Sequence, residues 1–432
     1  MILVLAPGCA WVRWPFRGVP PALVEVQPGA IPSLEDEADS GSLRLALERS
    51  LDYYDRESTR TFVAGSRAYT GAEFASALRK VLAALPDSGR AADLNAVLRT
   101  HFRVLKATGQ RQPLRFTGYY TPLLQGTLAP DSEFRYPVYG KPADLMNFDL
   151  SDMAQACDCV TTLQTGRIHN GTVLPYYSRT QIERDGVLDD QNLEIAWTDD
   201  PIALFFLHIQ GSGQMQLPDG QILQLNFAAT NGRPFRSIGR VLLNRGVLPS
   251  GGASMQGIRA YLESHPAERD RILRENPRYT FFRVADTGAV GSLGVEVTPA
   301  RSIATDPTVF PPGTLAFVQT RVPDIGPDGQ LRGWAPWRRF VMNQDTGGAI
   351  TGPTRIDIYF GVGEAAGDVA GRMSADGDLF FFVPRETSGV PGPDARTPPR
   401  PDRPEKPRAR GARRADRAPE TPDRAVARVS AP

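Results

Sequence analysis

The chain has 432 residues, 41% of them hydrophobic, which is enough to bury a large core, and its length argues for two or three domains rather than one. The formal net charge of +1 hides a split: from Thr387 onward eleven Lys/Arg stand against six Asp/Glu, so the tail is basic and the body mildly acidic. No uninterrupted apolar stretch reaches about 18 residues, which excludes a spanning helix, and neither a nucleic-acid partner nor a cofactor is expected.

The first residues, MILVLAPGCAWVRWP, hold a short apolar run ending at Cys9, with Ala6, Pro7 and Gly8 before it, in the manner of a degraded lipoprotein processing site. No Lys or Arg precedes the run, and it is shorter than a secretory h-region. A start that clips a longer signal accounts for both, and residues 1–30 are read as signal-like or unstructured. Cys9, Cys157 and Cys159 make neither a disulfide framework nor a zinc ribbon. The four histidines, His101, His169, His208 and His265, lack metal spacing, so no metal is expected.

From about Ser33 to Phe102 the pattern is helical, clearest where Thr70 and Glu73 have capping-box spacing ahead of Phe74, Leu78, Val81 and Leu82. From Leu114 the runs are β-type: LRFTGYYTPLLQGTL, FRYPVYGKP and ALFFLHIQGSGQMQLPDGQILQLNFAATNG, with Pro218-Asp219-Gly220 reading as a hairpin turn. Helices return from Ser237 to about Asn276, with Pro266 starting the last of them. A second β block runs from about Thr280 to Pro384. The tail, 387–432, has ten prolines and no aromatic residue and is read as disordered.

In RIDIYF, alternation sets Ile356, Ile358 and Phe360 on one face and Arg355, Asp357 and Tyr359 on the other. That is either an ordinary half-buried strand or one wall of a polar cleft. Asp345, before Thr-Gly-Gly, suits a turn-organising carboxylate, and opposite Asp357 it can also tune a second acid. His208-Ile209-Gln210-Gly211-Ser212-Gly213 has neither nucleophile-elbow nor dinucleotide spacing. It is a turn, or a floor where Gly211 and Gly213 let a flat polymer approach while Gln210 and Ser212 hydrogen-bond it. In FTGYYTP the Tyr119 and Tyr120 rings stack on sugars or fill a core, with Thr117 beside them, and periodicity does not choose.

Taken together, FTGYYTP, LHIQGSGQMQLPDG, NGRPFRSIGRVLLNRG, SMQGIRAYL, NPRYTFF, DPTVFPPGT, DTGGAITG, RIDIYFG and AGRMSADGDLFFFVP resemble one family, the membrane-bound lytic murein transglycosylases of type A, from roughly Leu114 to Pro384. Asp306, Asp345 and Asp357 match its three-aspartate block in order. The chain departs from the pattern in lacking a lysine just ahead of Asn231 and in having Tyr261 where tryptophan is usual.

The resemblance implies a mainly β fold with a helical lead-in. Residues 31–118 supply that lead-in and the first part of a double-psi β-barrel, 287–386 complete the barrel, and a β-rich domain with helices, 119–286, is inserted, with the glycan in the groove between. It implies cleavage of the β-1,4 bond between N-acetylmuramic acid and N-acetylglucosamine without water, leaving a 1,6-anhydro end. Asp357 would be the acid/base and Asp345 its orienting partner, with Thr117, Tyr119, Tyr120, Gln210, Gly211, Ser212 and Gly213 lining the glycan subsites. The implied setting is periplasmic, with outer-membrane anchoring through Cys9, peptidoglycan strands as partner alongside cell-wall synthesis or division proteins, and a monomer. Two other readings stand beside it: a hydrolytic glycosidase using both carboxylates, and a non-catalytic wall-binding module.

Overall fold

A computed structural model describes residues 21–85, 92–110, 112–150, 163–249 and 251–385. Cys9, Cys157, Cys159 and the 387–432 tail lie outside the described residues. The lead-in begins where its caps are written. Asp39 accepts from the Ser42 N–H at 2.7 Å to start the Ser40–Arg56 helix. Thr70 and Glu73 form the expected capping box of the Gly71–Ala84 helix, which buries Phe74, Leu78 and Val81.

Two expectations fail here. The stretch between these helices is a hairpin, Thr61–Ala64 against Arg67–Thr70, because alternation buries Phe62 and Ala64 and Gly65 takes the positive φ its turn requires. Leu23–Glu25, placed by the sequence reading in an unstructured N-terminus, is an edge strand paired with Phe102–Ala107.

Six strands close a barrel. Going round it, Leu114–Thr121, Arg355–Val362, Ser302–Ala304, Leu331–Asp345, Leu315–Ile325 and Ser374–Pro384 are successive neighbours, and the last pairs back onto the first. Two pairings are parallel, Leu114–Thr121 with Arg355–Val362 and Ser302–Ala304 with Leu331–Asp345, and the rest are antiparallel. Phe116, Ile303, Val341, Ile356, Ile358 and Phe381 share the inward face in register, while Phe317 and Phe340 are buried on the opposite, outer face. Each fully buried side chain of that size contributes about 1.5–3 kcal/mol, so the inward half of RIDIYF is fixed by the core and the outward half is free for chemistry.

The strand Leu114–Thr121 runs through Pro122 directly into Leu123–Thr127, a strand of a second, six-stranded sheet ordered Thr280–Ala285, Ile222–Thr230, Gly213–Gln216, Leu123–Thr127, Glu194–Thr198, Tyr136–Tyr139. The hairpin at Asp219-Gly220 is present, with Gly220 at φ +86° and Asp219 accepting the Gln221 N–H at 2.9 Å. A β-type reading of ALFFLHIQ is overturned. Pro201–Gln210 is a helix, capped by Asp200 on the N–H groups of Ile202 and Ala203 and stopped by Gly211 at φ +82°. Its Leu204 and Leu207 pack on the sheet, while Ile202, Phe205 and Phe206 pack on the helices Ile238–Asn244 and Met255–Ser264. Burial on both sides erases the amphipathic period that announces a surface helix.

Candidate active site

Strand register brings Asp345 and Asp357 into one row. Asp357 pairs with Thr117 on one side and with Ala304 on the other, and Ala304 pairs in turn with Asp345. Adjacent strands lie about 4.8 Å apart, so the two aspartate Cα atoms are separated by roughly 10 Å, with only a methyl side chain between them.

The carboxyls have different surroundings. Asp357 leaves the barrel between Ile356 and Ile358, both fully buried. As a residue it remains partly open to solvent, but its Oδ1 is inaccessible and has no hydrogen-bond partner. Burial pushes its pKa up to about 6, against the nearby Thr117 hydroxyl and Arg355 guanidinium, and the charge of Asp345 adds to the rise. Arg355 Nη2 donates to Thr117 Oγ1 at 3.3 Å, and Thr117 Oγ1 donates to the Ile356 carbonyl at 3.4 Å. The Tyr119 hydroxyl and Arg355 Nε are likewise buried without a partner in hydrogen-bond geometry, although the Tyr119 hydroxyl lies close enough to the Asp345 carboxyl for the two to affect each other. Three unpartnered polar atoms thus gather on one face, where an unmade hydrogen bond costs about 1–3 kcal/mol.

Asp345 is also raised by burial, but backbone donors oppose it: its Oδ1 accepts from the Ser292 and Thr346 N–H groups, both at 2.8 Å. Gly291 permits the Ser292 approach, since a Cβ there would stand 2.6 Å from the Gln344 carbonyl and 3.3 Å from Asp345 Cγ. Asp306 has another role. Burial would raise it, but the Thr308 hydroxyl, the Gly352 N–H and the Thr308 N–H together hold it below the usual carboxylate range. It ties the 306–308 turn to the turn before Arg355.

A cleft of about 640 Å³ opens beside Asp345, walled by Gln210, Gly211, Ser212, Phe227 and Phe235 on one side and by 291–294 and 345–349 on the other.

Two family models match the chain: the MltA specific insert domain over residues 115–283 and the 3D domain over residues 301–383. A membrane-bound lytic murein transglycosylase from Agrobacterium tumefaciens superposes with a TM-score of 0.71 at 30% identity, the match covering 84% of this chain and 98% of that one. The chain belongs to the membrane-bound lytic murein transglycosylase A family. The Escherichia coli K12 member is 34% identical over 272 residues, 62% of this chain and 65% of its own length. The Vibrio cholerae member is 32% identical over 61% of this chain and 64% of its own. Escherichia coli MltA solved with bound chitohexaose shares the fold, with a TM-score of 0.63 at 24% identity. The expected double-psi barrel with an inserted β-rich domain is the fold of this family member.

Within that fold the expected site residues fall into three groups. Asp345, Gln210, Gly211 and Ser212 line the cleft. Asp357, Thr117 and Tyr119 form the row and face beyond Asp345, with the Tyr119 ring 5.1 Å from that of Tyr359. Tyr120 and Gly213 are placed differently from a sugar-facing floor. The Tyr120 ring packs on Gly367, while its N–H donates to Gln210 Oε1 at 3.2 Å. Gly213 is buried, and a Cβ there would stand 2.3 Å from Leu207 Cδ1, so its lack of a side chain serves packing.

The sequence reading missed Phe227 and Phe235, 50% and 40% exposed in the cleft, and Arg278 and Arg283 on its wall. A register shift between Phe227 and Ala229 re-aims that strand. The local signal was an aromatic residue inside an otherwise alternating run. His208 also lines the cleft, held neutral by burial first and the Arg179 charge second, with its ring 4.2 Å from that of Tyr279.

Proposed function

We propose that this chain is a lytic transglycosylase that cleaves the β-1,4 bond between N-acetylmuramic acid and N-acetylglucosamine in peptidoglycan, with Asp357 as the single acid and base. One observation carries the reading: Asp357 has a pKa of about 6 and an unpartnered oxygen, while its neighbour Asp345 is committed to two backbone donors. At pH 7 such a carboxyl is roughly one-tenth protonated, on the order of a hundredfold more than an ordinary aspartate.

Asp357 gives its proton to the glycosidic oxygen as the C1–O bond breaks. The C6 hydroxyl of the same muramyl ring then attacks C1 and returns its proton to the Asp357 carboxylate, closing the 1,6-anhydro ring. The nucleophile is already tethered to the reacting sugar, so proximity replaces the second catalytic carboxylate a hydrolase needs. Asp345 orients the 291–294 loop and adds negative potential near the developing oxocarbenium ion. Phe227 and Phe235 offer ring faces to the sugars, Gln210 and Ser212 hydrogen-bond them, and Thr117 and Tyr119 set the surroundings of the two acids. The relatives' names are membrane-bound, which supports an envelope location, and no helix among the described residues is long and apolar enough to cross a membrane.

Mass spectrometry of fragments released from purified sacculi tests the reading. Anhydro-muramyl ends are expected. Reducing ends would make the protein a two-carboxylate hydrolase, and binding without release of fragments would make it a wall-binding module.

A further inference from the structure

The cleft also carries unpartnered donors outside the row of aspartates. Among the described residues lining the cleft, the charged ones are Arg278, Arg283 and Asp345. The Arg278 backbone is fixed: its N–H donates to Asn276 Oδ1 at 3.3 Å and its carbonyl accepts from Arg179 Nη2 at 2.9 Å. Its guanidinium has no hydrogen bond or ion pair with any described residue, and neither has that of Arg283. Asn276 is fully buried, with Oδ1 taken by the Arg236 and Arg278 N–H groups and Nδ2 left without an acceptor. The Arg278 guanidinium lies flat over Gly348, where an added Cβ would stand 3.0 Å from Nη1 and 3.2 Å from Nη2. Burial alone pulls its pKa below the usual guanidinium value, and no carboxylate opposes the pull. An arginine held half-buried, oriented and unpaired in a glycan-sized cleft is poised for a planar, bidentate acceptor.

We propose that Arg278, supported by Arg283 at the rim, binds a carboxylate carried on the lactyl arm of a muramyl residue, so that the cleft reads the arm as well as the sugars. The inference rests on the glycan-cleaving reading above. The carboxylate has two sources, the peptide attached to the lactyl group or the lactyl carboxyl itself once the peptide is removed. Neutral chito-oligosaccharides have neither.

The test measures Kd in the Asp357→Asn background, which removes turnover, for peptide-bearing strands, amidase-stripped strands and chitohexaose. Adding Arg278→Gln is expected to weaken a carboxylate-bearing ligand at least tenfold more than chitohexaose. Loss confined to peptide-bearing strands assigns the peptide carboxylates, loss confined to stripped strands assigns the lactyl group, and loss on both means the wall accepts either. Gly348→Ala, which displaces the guanidinium without a change of backbone region, is expected to act in the same direction several-fold. Affinity for the charged ligand should also fall with salt while that for chitohexaose holds. Equal loss on all three ligands, or none on the charged ones, overturns the proposal. Wild-type protein that releases no anhydro ends from sacculi would instead overturn the catalytic reading, and the pattern of Kd values would still be read.

Discussion

Replacing Asp357 by asparagine should make the protein inactive and more stable at once. The carboxyl's pKa is about 6 in the folded chain against 3.8 for the unperturbed group. Between those values the folded state holds more protons than the unfolded one, so the carboxyl's presence lowers stability progressively as pH rises from about 4 to above 6. The full shift corresponds to about 3 kcal/mol, and partial exposure of the residue trims this to about 2–3 kcal/mol. For a folded body of this size that is roughly 3–4 °C in Tm. Calorimetry of wild type and Asp357→Asn at pH 4.5 and pH 7.5 measures it: the variant should melt higher at pH 7.5, and at pH 4.5 by only about a third as much. Sacculus clearance should fall by a factor on the order of 10²–10⁴, the worth of general acid catalysis. A variant that melts lower at pH 7.5, or gains equally at both pH values, would show that burial does not raise this carboxyl, and the assignment of the acid would fail with it.

Thr117→Val removes a hydroxyl that favours the charged form of Asp357, so the alkaline limb of the pH–rate profile should move up by roughly a few tenths of a pH unit. Asp345→Asn keeps an acceptor for the Ser292 and Thr346 N–H groups. Asp345→Ala leaves both without one, so only the alanine variant should lose about 1–2 kcal/mol by denaturant titration. Both should move the limb slightly down, because the charge of Asp345 raises Asp357. Asp306→Ala should cost about 1–2 kcal/mol at pH 7, the worth of charge-assisted bonds at a half-open site. Its pKa is lowered in the fold, so that stabilisation is present above the ordinary carboxylate range and disappears in strong acid, where variant and wild type should melt together.

How far the sequence carries depends on whether a feature is set locally. Alternation placed Asp357 outside the barrel because Ile356 and Ile358 must face inward, and a one-residue slip would turn the carboxylate into the barrel interior. Thr70 and Glu73 announced their helix because a cap is a contact three residues long. The helix Pro201–Gln210 was misread because both its faces are apolar, and the Asp200-Pro201 start was the signal available. Candidate residues could be named from the sequence, but the surroundings that the fold gives them could not. Burial raises the Asp357 pKa, and the Thr117 hydroxyl that opposes the rise comes from a parallel strand some 240 residues earlier. Arg278 reaches Gly348 from the far end of the inserted segment. No window of sequence contains either distance.

The order of causes at Asp357 bears on how the site divides its work. Two carboxylates that share a proton raise one another chiefly by mutual repulsion, and then neither acts independently. Here burial leads and the charge of Asp345 comes last among the causes, as a separation of two strands requires. The acid is therefore tuned by its place on the barrel wall. On the reading proposed above, Asp345 is left to hold the 291–294 loop through backbone donors without taking the proton that Asp357 would need. A single tuned acid suits a reaction whose nucleophile is built into the substrate. On the glycan-cleaving reading proposed above, the unpartnered Asp357 Oδ1, Tyr119 hydroxyl and Arg355 Nε on that same face would be completed by the sugar.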